Sequence, residues 1–323
     1  LEYSNFKDTT EIKNGQFHFK GTVEKPEICK IRIEGYDHQT EFYLENSKIS
    51  LLGYHDSLDK VKISGSKTEH ENNAYNQILN EFKRKSLDIE NEYESANDSR
   101  KAELVNLHEK TELQMVEAQR QFIKDNPTSY LCIGILIDLD WSFTTATEYQ
   151  EYISILDTSL NQYKRLISLK EHVARMEKVE PGNIAPDFEI PDINGNTVKL
   201  SEYYSKSKFT LLDFWASTCG PCRIENKHIL KAYKNYHDKG FDVFGVSQDT
   251  KKELWLKAIK KDSLVWTNAC NLKKEGTNEL IKLYALNQVS ANFLLDNTGK
   301  IIAKDLRGDD LHIKLAELFN ESE

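Results

Sequence analysis

Two cysteines three positions apart, in Cys219-Gly220-Pro221-Cys222, come directly after the apolar run Leu211-Leu212-Asp213-Phe214-Trp215-Ala216 and two further residues. This pattern predicts a buried strand, a tight turn and a helix start, in that order. It sets the two thiols one helical turn apart. Cys219 falls at the first turn, where its thiolate meets unpaired backbone N–H groups and the positive end of the helix dipole. Both favour the anion, so the Cys219 pKa is expected below that of a free cysteine. Cys222 lies one turn deeper and can attack a mixed disulfide formed on Cys219, which is the chemistry of a dithiol–disulfide exchanger. Pro221 removes an N–H where a helix start tolerates the loss. Two other readings stand beside this one. A Cys-x-x-Cys can be half of a zinc site, but no second pair or His spacing is present to complete it. The pair can also be inert and buried, although inert cysteines need no helix start and no Gly-Pro between them.

The 323 residues carry 43 basic and 52 acidic side chains, a net charge of -9. No basic surplus exists to neutralise phosphates, which argues against a nucleic-acid partner. The other cysteines, Cys29, Cys132 and Cys270, stand alone in apolar or mixed surroundings and read as core fillers rather than a disulfide framework. The longest apolar run, 131–137, is too short to span a bilayer. The chain begins at Leu1 without Met and shows no signal peptide, which leads to the expectation of a removed leader.

Three parts are expected along the chain, at 1–66, 67–178 and 183–323. In the first, the alternations Phe17/Phe19, Ile31/Ile33, Phe42/Leu44, Ile49/Leu51 and Val61/Ile63 predict about five short antiparallel strands punctuated by glycines. In the second, Tyr75, Ile78, Leu79 and Phe82 take helical spacing. Asn97-Asp98-Ser99 marks a break or a soft spot in one long helix, and Asn126-Pro127 a stop. A further helix is expected from Ser129, and one from Ile153 to Met176. Pro181-Gly182 reads as the boundary to the third part. There, β segments at 209–214, 241–246, 292–296 and 301–303 alternate with helices near 220–237, 251–261 and 310–319, an α/β layer fold.

Asp213-Phe214-Trp215-Ala216, two residues, then Cys-Gly-Pro-Cys resembles the thioredoxin active-site pattern, with Thr218 where Trp is usual. With Ala185-Pro186-Asp187-Phe188, Gly245-Val246-Ser247 and Asn292-Phe293-Leu294-Leu295-Asp296, residues 183–323 are similar to the TlpA/ResA branch of the thioredoxin superfamily, of Bacteroidetes type. Residues 10–66 resemble the small β domain of unknown function that often precedes such domains. The resemblance implies an α/β chain: a thioredoxin-like C-terminal domain preceded by a small antiparallel β domain and a helical segment. It implies a thiol–disulfide oxidoreductase, and more specifically a reductase of protein disulfides, in the periplasm or cell envelope. The partners implied are protein thiol or disulfide substrates and an upstream redox donor, with no cofactor, no metal and no membrane contact beyond a removed lipid anchor. Cys219 becomes the attacking nucleophile and Cys222 the resolving thiol. Asp213 becomes a buried carboxylate of raised pKa that accepts the Cys222 proton, and Glu225 the acidic residue one turn along the helix; the residues alone also allow a water-bonded Asp213 with no catalytic part and a solvated helix-face charge at Glu225. Trp215, Thr218, Gly220, Pro221, Val289 and Ser290 become the substrate-facing set.

Two departures from the family pattern carry consequences. Lys227 stands where the helix usually has Pro. Ser290 stands where a cis-proline usually orients the substrate backbone and limits metal access. A cis bond before a non-proline residue costs roughly 3 kcal/mol, so the Val289–Ser290 peptide is expected trans, or cis only where surrounding contacts enforce it, and Ser290→Pro is expected to raise turnover. Two alternatives to exchange remain. A thiol peroxidase needs Thr or Ser three residues before its reactive cysteine, where Ala216 stands. A non-catalytic module would use the dithiol to hold a soft metal or a partner.

Overall fold

The computed structural model describes residues 1–4, 6–286 and 289–320, the side chains of 274–278 excepted. Packing divides the chain into two compact units, residues 1–142 with 151–168, and residues 143–150 with 169–323.

The first unit opens with β1 (Glu2–Tyr3), β2 (Phe6–Lys7), β3 (Glu27–Arg32) and β4 (Gln39–Leu44), an antiparallel sheet in the order β2-β1-β3-β4. A hairpin of β5 (Ser50–Leu52) and β6 (Lys62–Ser64) comes next. Alternate residues Cys29 and Ile31 of β3 turn inward with Phe42 of β4, and Leu51 and Ile63 pack on them. Phe17 and Phe19 join the same cluster from chain that pairs with no strand. Their alternation reports extended backbone on an apolar surface, which is necessary for a strand but does not supply a partner.

The helices then begin with α1 (Lys67–Ser95) and α2 (Asp98–Asp125). Ser66 Oγ caps α1 by accepting from the Glu69 N–H, and Asn97 caps α2 by accepting from the Arg100 N–H. The polar break is therefore a true turn, and α2 folds back on α1, where Gln119 donates to the Tyr75 hydroxyl at 2.6 Å. Next come α3 (Leu131–Asp138), α4 (Ala146–Ile155) and α5 (Lys164–Lys178). The single helix expected over 153–176 is two, because Asp157 accepts from the Ser159 N–H and starts a separate 3-10 turn at Thr158–Gln162.

The second unit continues from Val179, which is buried in that unit's core beside Ala185 and Ile190. A hairpin of β7 (Glu189–Pro191) and β8 (Thr197–Lys199) turns on Asp192, whose carboxylate accepts from the Asn194 and Asn196 N–H groups. Then come α6 (Leu200–Tyr204), β9 (Phe209–Trp215), α7 (Gly220–Tyr236), β10 (Phe241–Ser247), α8 (Lys252–Asp262), β11 (Thr267–Cys270), α9 (Lys274–Leu283), β12 (Ala291–Asp296), β13 (Ile301–Lys304) and α10 (Asp309–Asn320). Their five-stranded sheet has the order β11-β10-β9-β12-β13. β9, β10 and β11 run parallel, whereas β12 and β13 run antiparallel to their neighbours. The Pro181-Gly182 junction is bonded to this sheet, since Gly182 N–H donates to the Ile301 carbonyl and Ile301 N–H to the Asn183 carbonyl, both at 2.8 Å.

Central β9 is covered on both faces, which explains its nearly continuous apolar sequence. Leu211 and Trp215 face Ile229 and Ala232 of α7 and Leu311 and Leu315 of α10. Leu212 and Phe214 face the other way, onto Phe244, Tyr284 and Phe293. Full burial of one such side chain contributes roughly 1.5–3 kcal/mol, so β9 is a rigid support for the turn at its C-terminal end. By period two, Asp213 shares the face of Leu211 and Trp215.

Candidate active site

At the end of β9 the chain turns through Ala216-Ser217-Thr218. The turn is fixed by Asp249, whose carboxylate accepts from the Ser217 N–H at 2.9 Å, the Ser217 hydroxyl at 2.6 Å and the Ser247 hydroxyl at 2.7 Å. Arg223 braces it from α7, donating to the Ser217 carbonyl at 3.0 Å while its guanidinium pairs with Asp262. Cys219 is the N-cap residue of α7, one position before the first turn, and its Sγ accepts from the Cys222 N–H at 3.1 Å. Pro221 lies in that turn. The sulfurs of Cys219 and Cys222 are joined in a disulfide. They are not equivalent: Cys219 is half-buried, between exposed Thr218 and exposed Gly220 and Pro221, whereas Cys222 is 2% exposed. An attacking group from solvent reaches Cys219.

Asp213 is 5% exposed. Burial pushes its carboxyl up to about 7, the Glu225 carboxylate adds to the rise, and the Arg307 guanidinium opposes it. Near neutral pH this group can hold or release a proton. Glu225 is half-buried on α7, and its Oε1 accepts from the Gly308 N–H at 2.8 Å. It is thus bonded to the chain after β13 rather than being only a solvated charge.

Ser290 precedes β12, beside the C-terminal end of β9, and its N–H donates to the Phe214 carbonyl at 3.1 Å. The sheet thereby sets Ser290 at the end of β9 from which the Cys219 turn departs. No cis peptide bond occurs among the described residues, and Ser290 has φ +86°. Val289 is half-buried and packs on the same apolar cluster as Cys219 and Cys222. Trp215 differs from its expected place in the substrate-facing set. It is 1% exposed, because it is the last inward residue of β9, and its indole lies in the core beneath the turn.

The geometry at Ser290 also reverses the expected gain from proline. A proline ring holds φ near −65° and has no N–H, whereas Ser290 needs φ +86° and donates a hydrogen bond. Ser290→Pro is expected to destabilise the chain by roughly 2–3 kcal/mol and to slow exchange. Thermal unfolding and disulfide-reduction rates on the pair of proteins check this, and a faster, equally stable Pro variant would restore the sequence-based expectation.

The sequence reading missed Arg307. Its Nη1 donates to Ser290 Oγ at 2.7 Å and its Nη2 donates to the Ser290 carbonyl. It also missed Asn292, opposite Asp213 on β12, whose amide bonds both the N–H and the carbonyl of Leu306. The available signal was the Leu306-Arg307-Gly308 turn after the last strand. Cys29, Cys132 and Cys270 are buried and free. Burial pushes their thiols up, to about 11 for Cys29 and about 12 for Cys132. Among the described residues no group of three or more His, Cys, Asp or Glu is placed to hold a metal ion.

Comparison with known proteins agrees with this geometry. Residues 181–304 match the AhpC/TSA family, and residues 2–72 match a domain of unknown function, DUF4369. The thiol-disulfide oxidoreductase ResA of Bacillus cereus is 29% identical over 150 residues, covering 46% of this chain and 83% of the relative. ResA of Bacillus subtilis is 24% identical over 129 residues, 40% of this chain and 69% of the relative. The thioredoxin domain of a thiol-disulfide oxidoreductase from Bacteroides vulgatus is 38% identical, covering 44% of this chain and 99% of that domain, with a TM-score of 0.41. A thiol-disulfide oxidoreductase from Bacteroides fragilis is 37% identical over 42% of this chain and 99% of its own, with a TM-score of 0.39. The matched stretch contains both cysteines of the turn, Asp213, Glu225 and Ser290. Residues 181–304 are therefore an AhpC/TSA-type thioredoxin-like domain similar to the ResA thiol-disulfide oxidoreductases, carried behind a stretch that matches DUF4369.

Proposed function

We propose that this oxidoreductase works as a reductase of protein disulfides in the cell envelope. Reduced Cys219, as thiolate, attacks one sulfur of a substrate disulfide. A Cys219–substrate disulfide forms and the other substrate sulfur leaves as a thiolate. Cys222 then gives its proton to Asp213 and attacks Cys219 Sγ. The Cys219–Cys222 disulfide forms, the second substrate sulfur leaves, and two electrons have passed from enzyme to substrate. A dithiol donor resets the pair by the same exchange in reverse. Thr218, Gly220, Pro221, Val289 and Ser290 frame the substrate, Glu225 tunes Asp213, and Trp215 supports the turn from below.

The observation that carries this reading is the unequal exposure of the two joined sulfurs at the start of α7. An envelope location is supported by the compartments in which protein disulfides persist. A thiol peroxidase is less supported, since Ala216 offers no hydroxyl three residues before Cys219, and the relatives are named for disulfide exchange. The test is trapping. Cys222→Ser, reduced and mixed with a disulfide-bonded protein, is expected to accumulate a mixed disulfide through Cys219. In reduced wild type, Cys219 is expected to alkylate first and the buried Cys29, Cys132 and Cys270 slowly. Trapping through Cys270, or faster labelling of Cys222, would sink the assignment.

A further inference from the structure

The turn between β13 and α10 is bonded to three parts of the site. The Leu306 N–H donates to Asn292 Oδ1 at 2.9 Å, and the Asp305 N–H donates to the Asn292 carbonyl at 2.8 Å. The Gly308 N–H holds Glu225. Between these, the Arg307 guanidinium takes both acceptors of one residue, the hydroxyl and the carbonyl of Ser290.

Ser290 needs such a partner. Its φ of +86° lies in a region that L side chains seldom occupy and keep only where their surroundings over-determine it. No proline ring fixes the turn at this position, since residue 290 is Ser. A planar fork donating twice to one residue specifies orientation as well as contact, which the single ammonium of a lysine does not. Arg307 also acts on the carboxylates around it. The charged groups acting on Asp213 are Glu225 from α7 and Arg307 from the turn after β13, and Arg307 acts on Asp305 as well.

We propose that Arg307 is a positioning residue of the exchange site, locking the Ser290 turn against which a protein disulfide docks and supplying positive charge to the Asp213 side of the dithiol. It acts through Ser290 and Asp213 rather than on the sulfurs. The inference rests on the exchange function proposed above.

The test compares full-length wild type, Arg307→Lys and Arg307→Met with two substrates, insulin and the small disulfide 5,5′-dithiobis(2-nitrobenzoate). Lysine keeps the charge and loses the fork, so KM for insulin is expected to rise about tenfold with an unmoved pH profile. Methionine loses both, so KM rises similarly and the acid limb of kcat moves to higher pH by about half a unit or more. The direction is set because removing a cation favours the protonated acid. Turnover of the small disulfide at pH 8.5 is expected to stay close to wild type in both. Carboxyl NMR titration of Asp213 and hydrogen exchange at the Ser290 amide need no turnover. They decide the inference even if wild type fails to reduce insulin and the proposed function falls. An Arg307→Met protein with unmoved KM, Asp213 titration and Ser290 protection would overturn the proposal. So would equal loss with both substrates in step with a lowered Tm, which is all that a merely structural role predicts.

Discussion

Cys219→Ser is expected to abolish protein-disulfide reduction, by about a thousandfold or more, as removal of a nucleophile does elsewhere. The fold should survive the change. Cys219 is the N-cap of α7, and its sulfur accepts from the Cys222 N–H; serine is among the preferred residues at that position and its hydroxyl accepts the same bond. No other thiol can take over, since Cys222 is 2% exposed and Cys29, Cys132 and Cys270 are buried with raised pKa values. Insulin reduction measured beside thermal unfolding checks both halves. Turnover within tenfold of wild type would place the nucleophile elsewhere.

Asp213→Asn is expected to make the protein slower and more stable at once. In its proposed role as proton acceptor for Cys222, Asp213 would contribute the factor typical of general acid–base catalysis, so kcat near pH 7 should fall about a hundredfold. Stability moves the other way. The folded carboxyl is raised to about 7 from an ordinary value of 3.8. Between those values the native state holds a proton that the unfolded chain has released, so native stability falls as pH rises through this window and levels off above about 7. The asparagine variant carries no such charge. Its advantage should be near zero at pH 3.5 and grow to the order of 4 kcal/mol by pH 8, at 1.36 kcal/mol per pH unit. Denaturant unfolding of both oxidised proteins at the two pH values measures it. Equal stability at pH 8 would mean that the buried carboxylate carries no such strain.

The parts of this molecule that were legible in sequence are those whose cause is local. β9 announces itself because burial on both faces demands an unbroken apolar run, and the helix start because Gly-Pro and two cysteines fall within one turn. β11 was not legible. Thr267-Asn268-Ala269-Cys270 has no apolar alternation, since Asn268 is buried by donating to the Leu264 and Trp266 carbonyls. α9 was missed too, and its N-cap, Lys273, makes no side-chain capping bond. In the site, both sulfurs and Asp213 were visible because one strand and one turn place them. Arg307 was not, because it gains meaning only when β12 and β13 bring it to Ser290, 17 residues earlier, and set Gly308 against Glu225, 83 residues earlier. The inward face of Trp215 was likewise a matter of strand register, which the motif does not carry.

The position of β12 beside β9 sets an order of assembly. While the chain is being made, β9 has β10 on one side and an open edge on the other until residues 291–296 emerge. Through that interval the Phe214 carbonyl lacks the Ser290 N–H, and the strand edge beside Asp213 stands bare. The two thiols are therefore synthesised well before the segment proposed to position substrates against them. In an oxidising compartment, a newborn chain would carry the complete redox pair while its docking turn was still missing, and selectivity would arrive only with the last strands.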